Sequence, residues 1–260
     1  MPAVILTFMG LRAQVHGQDV EFGLGYSGGI ALGAMSNSMD AQHGFHVEGL
    51  LNPTNNPWSY GLGFSQSWYD NFREDVEFTF SSGAVIEAPM VVNHRISSFS
   101  ALLRYDFIED GPVLPYATVC LHWVLGRSVL AVRDPDSRNT GEGPINLYEE
   151  TMHADNSFGA SLALGSRFDI GLIFPRLGKS QFYFRAEVLC LLGPEFEFAF
   201  SERLRSGRGQ PEADPATSDF EIIEGDLHNL RLYREPLSLL FFKAGVSWRI
   251  PLGRDQMFRD

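Results

Sequence analysis

The chain has 260 residues, 44% of them hydrophobic, with 21 Phe, 26 Gly and a formal charge of -12. A mean hydropathy of -0.08 and the lack of any apolar run of roughly eighteen residues past the N-terminus exclude a transmembrane helix. They do not exclude a barrel whose strands alternate lipid-facing and inward-facing side chains, and the acidic balance argues against nucleic acid as a partner.

The opening Met1-Pro-Ala-Val-Ile-Leu-Thr-Phe-Met-Gly-Leu-Arg-Ala-Gln14 is a short apolar run closing on small residues, without the basic stretch that usually precedes one. Residues 1–18 therefore read as a signal peptide and the start of the mature chain, with a buried first strand as the alternative. Alternating segments follow. The first two run from Val20 to Ile30 and from Gly44 to Leu51. The turn Asn52-Pro-Thr-Asn-Asn-Pro57 leads into a third from Trp58 to about Tyr69, and a fourth spans Arg95 to Phe107. After Glu109-Asp-Gly-Pro-Val-Leu-Pro115 comes a fifth, Tyr116 to Val132, then a sixth, Ser157 to Ile173. Pro175-Arg-Leu-Gly-Lys-Ser180 opens the seventh, Gln181 to Phe200, and the eighth is Leu237 to Ile250. Connections after even strands are short, whereas 71–94, 133–156 and 201–236 are long. That alternation is the asymmetry of an outer-membrane barrel and puts both termini on the periplasmic side. The segment from Val76 to Val91 is either a hairpin raising the wall or a fifth pair of strands, which would make ten.

Residues two apart share a face of a strand. One set is apolar: Phe22, Leu24 and Tyr26; Phe45 and Val47; Trp58, Tyr60, Leu62 and Phe64; Phe99, Leu103, Tyr105 and Phe107; Val119, Leu121 and Trp123; Phe158, Leu162 and Leu164; Phe182, Phe184 and Val188; Phe242, Val246, Trp248 and Ile250. The other is small or charged. It holds Gly23, Gly25, Gly61, Gly63, Ser98, Ser100, Thr118, Cys120, His122 and Ser161. Its carboxylates Glu21, Glu48, Asp106, Asp169 and Glu187 match the cations Arg104, Arg167, Arg185, Lys243 and Arg249 in number. An eight-stranded barrel is only wide enough inside for side chains, and glycine on the concave face permits curvature. The small, charge-balanced set is therefore the lumen, an ion-pair network that plugs the barrel, and the apolar set faces lipid. Trp58, Tyr60, Tyr105, Phe107 and Trp248 cluster near strand ends as an aromatic girdle. Cys120 and Cys190 fall on opposite faces, so no disulfide joins them.

Phe22-Gly-Leu-Gly-Tyr26, Trp58-Ser-Tyr-Gly-Leu-Gly-Phe64, Leu114-Pro-Tyr116 and the last strand, Phe242-Lys-Ala-Gly-Val-Ser-Trp-Arg-Ile250, carry a resemblance. Over residues 19–251 the chain resembles the OmpA-like small outer-membrane barrels of Gram-negative bacteria, often labelled "porin family". The resemblance implies export, an all-β, antiparallel up-and-down barrel of about eight strands, and no particular activity. Lys243, Gly245, Trp248 and Ile250 look like the insertion signal read by the barrel-assembly machinery, although residues 252–260 follow it where many members end on an aromatic residue.

His94, His153 and His228 lie near acids and serines in the long connections, but at no spacing of a known triad or metal motif. No catalytic residue, cofactor or metal is expected. Loop 133–156 is acidic and reads as a hydrated surface; Arg203, Arg205 and Arg208 could meet lipopolysaccharide phosphates. The leading expectation is a structural or surface-interaction barrel in contact with outer-membrane lipid and lipopolysaccharide, its extracellular partner unspecified. A narrow channel, a rim-site enzyme and a soluble lipocalin-like binder with the faces reversed are the alternatives.

Overall fold

The computed structural model describes residues 18–39, 41–53, 56–79, 85–108, 111–135, 145–172, 181–201 and 230–252. Residues 1–17, His228, Arg203, Arg205, Arg208 and the tail 253–260 lie outside them, and with them the signal-peptide expectation. Eight strands, β1 (Gln18–Ala31), β2 (Gln42–Pro53), β3 (Trp58–Thr79), β4 (Val85–Asp106), β5 (Val113–Arg133), β6 (Asn146–Asp169), β7 (Phe182–Ser201) and β8 (Leu230–Pro251), pair in chain order. Every pairing is antiparallel, and β1 closes on β8.

Four strands, β3, β4, β6 and β8, are far longer than the alternation alone predicts. β3 and β4 pair from Trp58↔Tyr105 up to Thr79↔Val85, so residues 76–79 and 85–91 raise the wall and the ten-stranded alternative falls. β6 starts at Asn146 and β8 at Leu230, inside segments expected to be loops. The reason is the change of surroundings along the wall. Above the apolar belt the outward positions become polar (Arg73, Asp75, Glu87, Glu149), and the hydrophobic alternation fades while the hydrogen-bonded ladder continues. A bulge between Tyr69 and Phe72 re-aims β3 at this level, with Asp70 at φ 41. Aspartate is among the few residues that tolerate such a left-handed backbone.

The apolar set faces outward. Leu62 is 72% exposed, Phe158 69% and Leu121 67%, which is the reverse of a soluble core. Aromatic pairs mark the end with the short turns: Trp58 edge-on to Tyr105 at 4.8 Å, and Phe182 stacked on Trp248 at 5.7 Å. Towards the loop end Trp68 lies 6.0 Å from Phe45 and 6.2 Å from His43. Trp58 and Trp68 stand ten residues apart (68 − 58) on the outward phase of β3. At about 3.3 Å per residue and a tilt of about 40°, they bracket a belt roughly 25 Å tall, the height of a barrel's lipid-facing band.

The interior is not polar throughout, which corrects the reading of the inward set. Its loop-end half is an apolar core of Ile96, Val124, Leu189, Leu191, Phe196, Phe198, Leu237 and Leu239. The connection from β1 to β2 folds down onto it as a 3-10 turn, Gly33–Asn37, burying Met35 completely and Met39 nearly so. Gly33 holds φ +60 where that turn begins, a conformation glycine adopts without strain. Higher still, Ala88, Met90, Val92, Leu130 and Val132 form a second apolar cluster.

Candidate functional site

The turn-end half of the interior gathers charged side chains from all strands but β3 and β5. Glu21 of β1 is fully buried. It accepts from Arg104 at 3.1 Å and Arg167 at 2.5 Å, with Arg249 at 3.6 Å. Arg104 continues to Glu48 at 2.5 Å, Glu48 also pairs with Arg185, and Arg167 reaches Asp106 at 2.8 Å. Arg185 and Lys243 meet Glu187 at 3.5 and 3.3 Å. Asp106, Arg167, Glu21, Arg104, Glu48, Arg185, Glu187, Lys243 and Arg249 thus form one continuous chain of ion pairs across the barrel. Asp169 stands at the turn end of β6, where its carboxylate accepts the Gly171 N–H at 2.8 Å.

Tyr116 of β5 is the hub that sequence reasoning missed. Its hydroxyl donates to Glu187 at 3.1 Å and accepts from Arg185 at 3.1 Å. The Arg104 guanidinium lies 4.4 Å from its ring centroid, with those of Arg185 and Arg167 at 5.6 and 5.9 Å. A phenol with both hydrogen-bonding roles used and cations over its face suits a water-poor interior. The signal was available, because Tyr116 shares the inward phase of Thr118, Cys120 and His122.

Above this layer lies a band of hydroxyls and imidazoles. His122 bridges Ser98 at 2.8 Å and Ser161 at 2.7 Å, which a neutral ring satisfies by donating at one nitrogen and accepting at the other. Ser27, Ser65, Ser67, Ser98, His122 and Lys243 line the polar floor of a cavity roofed by Ile96, Leu189, Leu191 and Phe241. The cavity, about 20 Å³, has room for one or two waters.

His94 and His153 are not in loops. His94 is on β4 and fully buried, its ring stacked on Tyr69 at 5.4 Å and bonded to Ser128 at 2.8 Å; Asp70 lies 3.9 Å away. His153 is on β6 beside Glu197, at 3.6 Å. The Asp70–His94–Ser128 row has the residue types of a nucleophile relay, but Ser128 is only 1% exposed, so no substrate carbonyl reaches its Oγ in this conformation. Among the described residues no group of three or more His, Cys, Asp or Glu is arranged to hold a metal ion. Both cysteines are free, Cys120 facing the lumen and Cys190 the outer surface.

The four residues of the insertion motif lie on β8, against β1. Gly245 faces Gly25, and a Cβ there would stand 2.3 Å from the Leu24 carbonyl oxygen. Only glycine allows that approach at the closing seam. Trp248 sits in the turn-end girdle, donating to Gln181 at 3.3 Å, and Ile250 lies opposite Val20.

No protein-family model and no curated protein matches the chain. Among solved structures it is similar to Neisserial surface protein A, at 12% identity and a TM-score of 0.41, over 89% of this chain and 96% of that one. It is similar to Ail of Yersinia pestis, at 11% identity and a TM-score of 0.39, over 90% and 99%. A major outer membrane protein from Thermus thermophilus gives 10% identity and a TM-score of 0.39, over 89% and 99%.

Proposed function

We propose that the chain is a bacterial outer-membrane β-barrel with a structural or surface-interaction role, both termini periplasmic, its raised loop end presented to the outside of the cell. The observation that carries this reading is the pairing of an apolar belt roughly 25 Å tall with an interior closed twice over. Ion pairs around Tyr116 fill the periplasmic half, and the apolar core capped by Met35 and Met39 fills the extracellular half. With the lumen occupied, the extracellular wall is the part available to a partner. Lys243, Gly245, Trp248 and Ile250 serve insertion by the barrel-assembly machinery, and Asp70, His94 and Ser128 serve to pin the bulge of β3 against β4 and β5.

The test is electrophoresis with and without boiling, followed by reconstitution into planar bilayers. A band whose migration changes on boiling, with no stepwise conductance, is the expected result. Stepwise currents would replace the plugged barrel with a narrow channel. A protein soluble without detergent and unchanged by boiling would defeat the membrane assignment.

A further inference from the structure

On the membrane reading just given, the lipid-facing wall carries a feature that neither the plugged lumen nor the loops explain. Arg95 of β4 and Arg127 of β5 stand directly opposite each other in register, both on the outward phase. They lie at the loop-end edge of the belt, at the height of Trp68, which pairs with Arg95. Two like charges in direct cross-strand opposition are destabilising unless something between them supplies the opposite sign. Neither arginine has a carboxylate within ion-pairing distance among the described residues, and the outward neighbours Ser97, Leu125, Asn93 and Val129 are uncharged. Arg127 donates through Nε to the hydroxyl of Thr151, on the β6 side, at 3.1 Å and through Nη2 to the same oxygen, which leaves its remaining guanidinium hydrogens for a ligand. A chain of net charge -12 has concentrated two fixed cations, beside an indole, at headgroup depth.

We infer that Arg95 and Arg127, the latter steadied on its β6 side by Thr151 and the former flanked by Trp68, form a binding site for a phosphate group on an outer-leaflet lipid. The guanidinium of Arg95 and the hydrogens that Thr151 leaves free on Arg127 suit phosphate oxygens, so one phosphate between the two strands neutralises both cations at once. Trp68 covers the junction of acyl chain and headgroup, the depth that indole prefers. The occupant is a lipid rather than a free ion, because the site opens sideways onto the lipid-facing surface, directly above side chains that meet acyl chains.

The experiment uses the full chain, extracted in mild detergent, and the double variant Arg95→Gln/Arg127→Gln, analysed by native mass spectrometry. The probes are lipid A bearing its phosphates, the same lipid dephosphorylated, and inorganic phosphate as competitor. The wild type is expected to retain the phosphorylated lipid about tenfold better than the dephosphorylated one, the ratio that charge-assisted hydrogen bonds of this kind provide. The double variant loses that preference, and Thr151→Val reduces it. Equal retention of the two lipids, or an unchanged preference in the double variant, overturns the site. Displacement by millimolar inorganic phosphate overturns the lipid as its occupant. A boiling-dependent band is recorded for every variant. If it is present without phosphate preference, the site alone fails; if the wild type lacks it, the membrane reading fails.

Discussion

Glu21→Gln removes one charge, keeps the shape of the side chain, and tests whether the lumen network is as dry and as coupled as its geometry implies. Glu21 is wholly buried and faces Arg104, Arg167 and Arg249 at 3.1, 2.5 and 3.6 Å. A unit pair 3.1 Å apart at an effective dielectric of 20 attracts by roughly 5 kcal/mol. Desolvation offsets several kcal/mol per ion, so the net loss on breaking one such buried group is about 3–5 kcal/mol. The amide leaves Glu48, Asp106 and Glu187 to balance Arg104, Arg167, Arg185, Lys243 and Arg249, an excess of two positive charges. Adding Arg167→Met in the same molecule should recover part of the loss, because it removes a stranded cation as well as a contact. Denaturant unfolding in lipid vesicles, followed by the fluorescence of the four Trp residues, reads the difference. A Glu21→Gln variant within about 1 kcal/mol of the wild type would refute the reasoning, because charges so easily given up are solvated charges.

Leu62 is 72% exposed and lies between the Trp58 and Trp68 ends of the belt, so Leu62→Arg should cost about 2–4 kcal/mol and abolish the boiling-sensitive band after vesicle assembly. Tolerance of that arginine would mean the face does not meet lipid. Met35→Asp should lift the 3-10 turn off the apolar core, and limited proteolysis should then cut between residues 33 and 39 while bilayer recordings stay silent, because the ion-pair layer below is intact. Currents from that single variant would show that the interior has one closure rather than two. Gly245→Val places a Cβ within 2.3 Å of the Leu24 carbonyl oxygen, and its assembled fraction on a gel should collapse; normal assembly would show that the β1–β8 seam is looser than that distance allows.

The outward side of the wall was legible because one side of each strand is apolar and the other must fit a narrow interior. Phe158, Leu162 and Leu164 against Gly159, Ser161 and Ala163 show this on β6 alone. The apolar upper interior left a fainter trace. Where both surroundings are apolar the period of two vanishes, as in Leu189-Cys-Leu-Leu192 and in Leu237-Ser-Leu-Leu-Phe-Phe242, and such runs mark the level at which the lumen changes character. The strand extensions were hidden for the opposite reason. Around Arg73, Asp75 and Glu149 water faces the wall, so composition there matches that of a loop although the hydrogen-bonded ladder continues. The proximity of Asp70, His94 and Ser128 depends on register and on a bulge across three strands, which spacing along one chain does not encode.

β1 and β2 have 14 and 12 residues, whereas β3, β4 and β8 have 22 each. Among the described residues the rim is therefore notched: the hairpin that supplies the Met35 turn is its low point, and the tall edges of β3 and β8 flank it. A body arriving from solution meets a surface with a front and a back, and its view of the mouth depends on the side from which it comes. In the membrane placement proposed above, the molecule spins about the membrane normal without tipping, so each turn sweeps that opening past its neighbours like a lighthouse beam. Encounters across the membrane plane are sorted by azimuth before any side chain is read.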